Sequence, residues 1–177
     1  MTDNHGSSEK QGWVREMVQR HQTPLIRYAR SIVRDEHVAR DVVQDTFLQL
    51  CKQTPDDLSG REPAWLFRVC HNFALNRLRK ERRMTTSTET VESTETAGDA
   101  ASVDPAHQTE TSEECARVLR FLGDLTENQQ KVLRLRFHAG LAYREISEAT
   151  GLTTTNVGYL LHTALGKLRE RLQVSDA

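Results

Sequence analysis

The sequence predicts an all-α protein: two small helical domains joined by a flexible acidic linker, the C-terminal domain carrying a helix-turn-helix. Three observations lead there. Apolar residues recur at helical spacing on both sides of the chain's middle, and no stretch alternates with period two for long enough to form a strand. The stretch TTSTETVESTETAGDAASVDPAHQTETSEE, residues 85–114, is rich in Thr, Ser and Glu and contains Gly98 and Pro105. With so few large apolar side chains it cannot offset its own ordering entropy. Residues 143–162 have the spacing of a helix-turn-helix. The expected domains are 1–83 and 113–177, with 84–112 as linker.

The first domain should hold three helices. Leu25, Tyr28, Ala29 and Ile32 mark one amphipathic helix. A second runs from about Glu36 to Lys52, with Ala39, Val42, Val43, Thr46, Phe47 and Leu50 on one stripe. Pro55 and DDLSG break the chain, and a third helix runs from about Pro63, favourable in a first turn, to Arg83. Its apolar side gathers Leu66, Val69, Cys70, Phe73, Ala74 and Leu78. In the second domain a helix near 113–123 precedes one that Thr126 and Gln129 open with capping-box spacing. HAG ends that helix and YREISEAT forms a short one. Gly151 then turns the chain into a last helix capped by Thr153. There Val157, Leu161, Ala164, Leu165, Leu168 and Leu172 form the stripe expected to be buried.

Composition narrows the function. A chain of 177 residues with 37% apolar content suits two small cores. No apolar run approaches the roughly 18 residues of a membrane span, and MTDNHGSSEK lacks the apolar centre of a signal peptide. A cytoplasmic protein is expected. Cys51, Cys70 and Cys115 are scattered and odd in number, without CxxC or Cys/His spacing, so reduced thiols and no metal are expected. No P-loop or nucleophile constellation suggests an enzyme or a cofactor. The net charge of −1 conceals a segregation: +5 over residues 61–83, −8 over 84–114 and +3 over 115–177.

Three surfaces call for explanation. Opposite the apolar stripe of the second helix lie Asp41, Gln44, Asp45 and Lys52, with Leu48 among them. That is either a solvated face with a stray leucine or an apolar knob ringed by carboxylates for a basic partner. The third helix, PAWLFRVCHNFALNRLRKERR, places Trp65, Arg68, Asn72, Asn76, Arg79 and Arg83 on one stripe, flanked by Arg77 and Lys80. Guanidinium groups bind phosphates, amides meet base edges and an indole stacks on an unpaired base, so nucleic acid is favoured over a merely basic face. The last helix turns Thr155, Tyr159, His162, Thr163 and Gly166 outward, with Asn156 at the margin, as hydrogen-bonding groups for base edges. It has no Lys or Arg from Thr153 to Gly166, although basic side chains supply most of the affinity for DNA. Attraction can come instead from Arg134, Arg136, Arg144, Lys167 and Arg169 around a neutral face.

VARDVVQDTFLQL, then PAWLFRVCHNFALNRLRKERR, then LGDLTENQQKVLRLRFHAGLAYREISEATGLTTTNVGYLLHTALGKLRERL resemble a bacterial sigma factor of the extracytoplasmic-function (ECF) group, the compact branch of the sigma-70 family. The likeness covers about residues 12–83 and 113–173. It implies a factor that binds RNA polymerase core, opens the −10 element and reads the −35 element of promoter DNA, often restrained by an anti-sigma factor. Val38, Asp41, Gln44, Asp45 and Leu48 would then contact the clamp helices of the polymerase β′ subunit. Trp65, Arg68, Asn72, Asn76, Arg77, Arg79, Lys80 and Arg83 would hold the −10 single strand, and residues 53–62 would read a flipped base. Arg144, Thr154, Thr155, Asn156, Tyr159, His162, Thr163 and Lys167 would face the −35 element, near the β flap. The family commonly has Lys or Arg at the places of Gly158, Leu160 and Thr163, so the departure lies in the reading helix. The alternative is a free-standing helix-turn-helix regulator that binds duplex operator DNA as a dimer, for which the Leu48 and Trp65 surfaces would be superfluous.

Overall fold

The computed structural model describes residues 3–88 and 122–175, with side chains from 8 to 83 and from 122 to 171. Among the described residues there are seven helices and no strand: α1 (Asp3–Val33), α2 (Glu36–Leu50), α3 (Pro55–Leu58), α4 (Glu62–Thr88), α5 (Glu127–Phe137), α6 (Tyr143–Thr150) and α7 (Thr154–Ser175). The expected linker lies outside the described residues beyond Thr88, as does most of the helix expected at 113–123, of which Leu122 and Gly123 are helical.

The first unit is built from α1, α2 and α4. Met17, His21, Leu25, Tyr28, Ala29 and Ile32 recur at spacings of three and four and are buried on one face of α1. That helix runs through Pro24, which gives up the bond to the carbonyl one turn earlier and crowds that carbonyl with its ring. It stops where Arg34 adopts a positive φ of 61°. Asp35 then caps α2, its carboxylate accepting from the Val38 N–H at 2.8 Å. α2 buries Ala39, Val42, Val43, Thr46 and Leu50, the Thr46 hydroxyl donating to the Val42 carbonyl so that its methyl joins the core. Phe47, expected with them, is half-buried.

Where the sequence suggested only a break, Thr54 and Asp57 close a capping box around the single turn of α3, and Leu58 plugs the core below it. α4 buries Ala64, Leu66, Phe67, Cys70 and Ala74. Phe67 replaces the half-buried Val69, Phe73 and Leu78 as a central residue, its ring edge-on to Tyr28 at 5.4 Å. The expected stripe was one-sided, whereas α4 packs on α1 and α2 and also on α6. α4 also continues past Arg83 to Thr88, since no Gly or Pro interrupts it there.

The second unit follows its local signals closely. Thr126 and Gln129 form the expected capping box, and Gly140, with φ 73°, turns the chain after α5. Gly151, at φ 76°, donates its N–H to the Ser147 carbonyl at 2.8 Å, and the Ser147 hydroxyl donates to the Leu152 carbonyl at 2.6 Å. This ties the turn between α6 and α7. The Thr153 hydroxyl accepts from the Asn156 N–H at 3.2 Å and caps α7. Val157, Leu161 and Ala164 are buried, but Leu165, expected with them, is exposed because it lies about 100° round the helix from Ala164. The side chain of Leu172 lies outside the described residues.

The two units are not apart. α6 lies on α4 and α5 touches α1, and the buried apolar residues of both units form one connected cluster.

Candidate functional site

On α2 the knob is present. Leu48 is 55% exposed, flanked by exposed Asp41 and Gln44. Burying such a side chain against a partner contributes about 1.5–3 kcal/mol; a single exposed leucine is common on its own. Beside it runs a groove of about 400 Å³ between α1 and α2, lined by Val14, Val18, Ile26, Phe47 and Leu48. The sequence reading missed the α1 wall, although Val14 and Val18 stand one turn apart and signal it. Two of the expected contact residues are placed differently. Val38 is half-buried against the core, because a β-branched side chain in the first turn of α2 covers the α1–α2 junction. Asp45 is half-covered and pairs with Arg77 of α4 at 3.3 Å. Arg77, expected on a phosphate, is thereby tied to the knob's own helix. Both groups are some two-fifths exposed, so the pair is weak and can be exchanged for stronger partners.

On α4, Asn72, Asn76, Arg79 and Lys80 are exposed in one band, with the Arg79 guanidinium donating to the Asn76 amide oxygen at 3.4 Å. Arg83 is exposed farther along and makes interactions of its own. Trp65 departs from the expected stripe: it is half-buried against the core, where so large an apolar ring gains more than in water. Arg68 is exposed but engaged, donating a short hydrogen bond to the Glu148 carbonyl of α6. The N-terminal third of this face is therefore occupied by the second unit, and the rest is open.

Buried Tyr28 and half-buried His71 form a polar pair on the inner side of α4. The Tyr28 hydroxyl meets His71 Nδ1 at 3.0 Å. Burial pushes the phenol up, so it remains protonated while it shares that hydrogen bond with the imidazole. Burial, and after it the charges of Lys131 and Arg134, push His71 down to about 4, which leaves the ring neutral near pH 7. The Cys70 thiol beside it is pushed up to about 12 by burial, the Thr46 hydroxyl bond opposing slightly. Such a thiol is a packing residue and a poor nucleophile.

On α7 the outward residues are Thr154, Thr155, Asn156, Tyr159 and His162, with Tyr159 66% exposed. Lys167 is exposed one and a half turns farther on. Thr163 is not part of that face. Its hydroxyl accepts from the Gln129 amide at 3.1 Å and reaches the Tyr159 carbonyl at 2.9 Å, because α5 crosses there. Leu160 is likewise half-buried among apolar neighbours. Of the three uncharged positions only Gly158 is close to the reading face, and a Cβ there would meet Tyr143 at 3.6 Å, an ordinary contact. Neither Gly158 nor Gly166, which has nothing near it, is a glycine for the sake of internal packing. Arg144 pairs with Glu148 at 3.2 Å at the exposed rim of α6. Arg136 lies over the Tyr143 ring at 5.6 Å and donates to the Leu141 carbonyl, so it buttresses the turn between α5 and α6.

Among the described residues no group of His, Cys, Asp or Glu has metal-site geometry, and no helix is long and apolar enough to cross a membrane. Residues 17–84 match the family model of Sigma-70 region 2 and residues 121–170 that of Sigma-70, region 4. The chain is 25% identical over 154 residues to the ECF RNA polymerase sigma factor SigM of Bacillus subtilis, which covers 87% of this chain and 91% of that protein. It is 27% identical over 151 residues to SigK of Mycobacterium tuberculosis, covering 81% and 77%. Among solved structures, CnrH in complex with the cytosolic domain of CnrY superposes with a TM-score of 0.64 at 27% identity, over 96% of this chain and 94% of that one. The sigma factor RpoE of Bartonella quintana, in complex with the anti-sigma factor NepR, shares the fold with a TM-score of 0.61 at 22% identity, over 92% and 98%.

Proposed function

The chain belongs to the sigma-70 family, in its extracytoplasmic-function group, and we propose how its faces divide the work of starting transcription. As a sigma factor it binds RNA polymerase core and directs it to promoters, opening the −10 element and reading the −35 element, and an anti-sigma factor is a further partner. It works in the cytoplasm and carries out no chemical step. Opening comes from trapping unstacked bases and from the binding energy of the polymerase.

The observation that carries the division is Leu48, an exposed apolar side chain on a face of carboxylates and amides. Leu48, Asp41, Gln44 and Asp45 dock on the basic-flanked clamp helices of β′, with Val38 supporting them from the junction behind. Asp45 releases Arg77 when it engages. Trp65, Arg68, Asn72, Asn76, Arg79, Lys80 and Arg83 line the path of the −10 strand, the arginines on phosphates and the amides and indole on bases. The turn around α3 lies beside that path and reads one flipped base. Thr154, Thr155, Asn156, Tyr159 and His162 meet the −35 base edges, with Arg144 and Lys167 on flanking phosphates and the unit held near the β flap.

The test is Leu48→Glu. The circular dichroism spectrum should be unchanged while affinity for purified core falls at least tenfold and promoter-directed transcription falls with it. Unaltered core binding removes the docking role. A chain that ignores core and protects a two-fold operator alone is a free-standing regulator instead.

A further inference from the structure

Gly158 lies in the second turn of α7, inside the N-terminal part with which a recognition helix meets base edges. At about 100° per residue it stands about 60° round the helix from Thr155 and about 40° from His162, both exposed. A glycine inside a helix is destabilising relative to alanine. Here an alanine would fit, since its Cβ would rest 3.6 Å from Tyr143 Cε2 in an ordinary contact. What the missing side chain leaves open is therefore the tyrosine ring. Tyr143 begins α6 and is 46% exposed beside α7. A side chain longer than alanine at 158 would start against that ring, and would cover it or push it aside.

The ring is held in place from its own side of the turn. The Arg136 guanidinium lies over it at 5.6 Å and is itself fixed by donating to the Leu141 carbonyl at 2.9 Å. A ring so placed continues the face of Thr155 and His162 onto the neighbouring helix. Its chemistry differs from that of a threonine or an imidazole. The edge of the ring is apolar, and the hydroxyl at its end donates a hydrogen bond. Thymine is the base whose major-groove edge joins those two needs, a C5 methyl beside the O4 acceptor.

We propose that Tyr143 is a base-reading residue of the helix-turn-helix, reaching the major groove past Gly158 to select thymine, with its ring edge on the C5 methyl and its hydroxyl donating to O4. The proposal rests on the reading of α7 as the helix that lies on the −35 element. A residue of the first helix then reads sequence through a gap in the second. The position that carries no charge at 158 gains an apolar contact in exchange.

The test is a methyl scan of duplex sites selected from a random library, once by the full chain alone and once by the chain with polymerase core. Each thymine in turn is replaced by deoxyuridine, which removes only the methyl group. At one position the parent should lose affinity about fourfold, as for one buried methyl group. Tyr143→Ala should abolish that loss and lower the preference for thymine at the same pair about tenfold. Tyr143→Phe should keep the methyl effect, and so should Gly158→Ala, whose Cβ fits. Gly158→Lys should erase it while steepening the salt slope by about 1. Circular dichroism accompanies each variant, and if Tyr143→Ala fails to fold the two Gly158 variants carry the comparison. Tyr143→Ala that weakens all sequences alike, with every methyl effect unmoved, puts the phenol on a phosphate and overturns the proposal. A parent without any methyl-dependent position does the same, as does a Gly158→Lys chain that keeps the effect. Normal core-dependent transcription alongside either result leaves the promoter reading intact. A methyl effect erased by Tyr143→Ala in a chain that never engages core would instead remove the promoter reading and leave the thymine contact standing.

Discussion

The open band of α4 and the outward face of α7 are both polar, exposed helix surfaces, yet the first is basic and the second neutral. α4 presents Arg79 and Lys80 beside Asn72 and Asn76. α7 presents Thr154, Thr155, Asn156, Tyr159 and His162, with its nearest exposed cation at Lys167. The difference matches two binding problems. A single strand being pulled from a duplex must be held by its backbone, and each phosphate held is a salt-dependent contact. An intact major groove offers distinct base edges, which neutral hydrogen-bonding groups can discriminate. On the proposed roles, the α7 unit would do without its own charge because polymerase would present it to the DNA at high effective concentration.

Substitutions can break or sharpen that contrast, and the largest effect is expected on α4. Trp65→Ala with Asn72→Ala should spare core binding and suppress promoter opening by two orders of magnitude or so, at about 1–3 kcal/mol for a stacked base with an amide contact added. Permanganate reactivity of the −10 thymines reads it. Because Trp65 is half-buried, melting temperature is followed in parallel, and Asn72→Ala alone gives the smaller loss without a stability cost. Arg79→Ala with Lys80→Ala should lower the slope of log affinity against log salt by about 2 while leaving sequence preference intact. On α7 the pattern inverts. Tyr159→Ala should change which upstream bases are preferred, by about 1–3 kcal/mol per affected pair, and leave the salt slope where it was. His162→Arg should tighten upstream binding and steepen the slope by about 1. A steeper slope without tighter binding would mean His162 faces away from the duplex.

The smallest effect is a pH dependence set by His71. His71 sits near 4 in the folded chain, below its ordinary value of 6.5, so the unfolded chain binds the proton more readily. Stability should be level above about pH 6.5 and fall as pH drops toward about 4. Thermal melts across that range, with His71→Gln as the flattened comparison, read it.

Much of this was legible in the chain itself. Thr126 with Gln129, Gly140, Gly151 and Thr153 delimit α5, α6 and α7 because capping and positive φ are local demands, met by neighbours three or four residues away. The stripe of α2 and the Leu48 anomaly opposite it came from spacing alone. Helical spacing says which residues share a face. It does not say how many partners that face has. Phe67 and Trp65 turned inward and Thr163 was taken up by Gln129 because α4 and α7 each meet a helix that the sequence could not bring near. The pairing of Asp45 with Arg77 spans 32 residues, and the contact of Arg68 with Glu148 spans 80. Over such separations only the packing of whole helices decides which charges meet. The sequence could therefore show an excess of positive charge on each side of the linker, while the contact of α6 with α4 emerged only when the two units packed against each other.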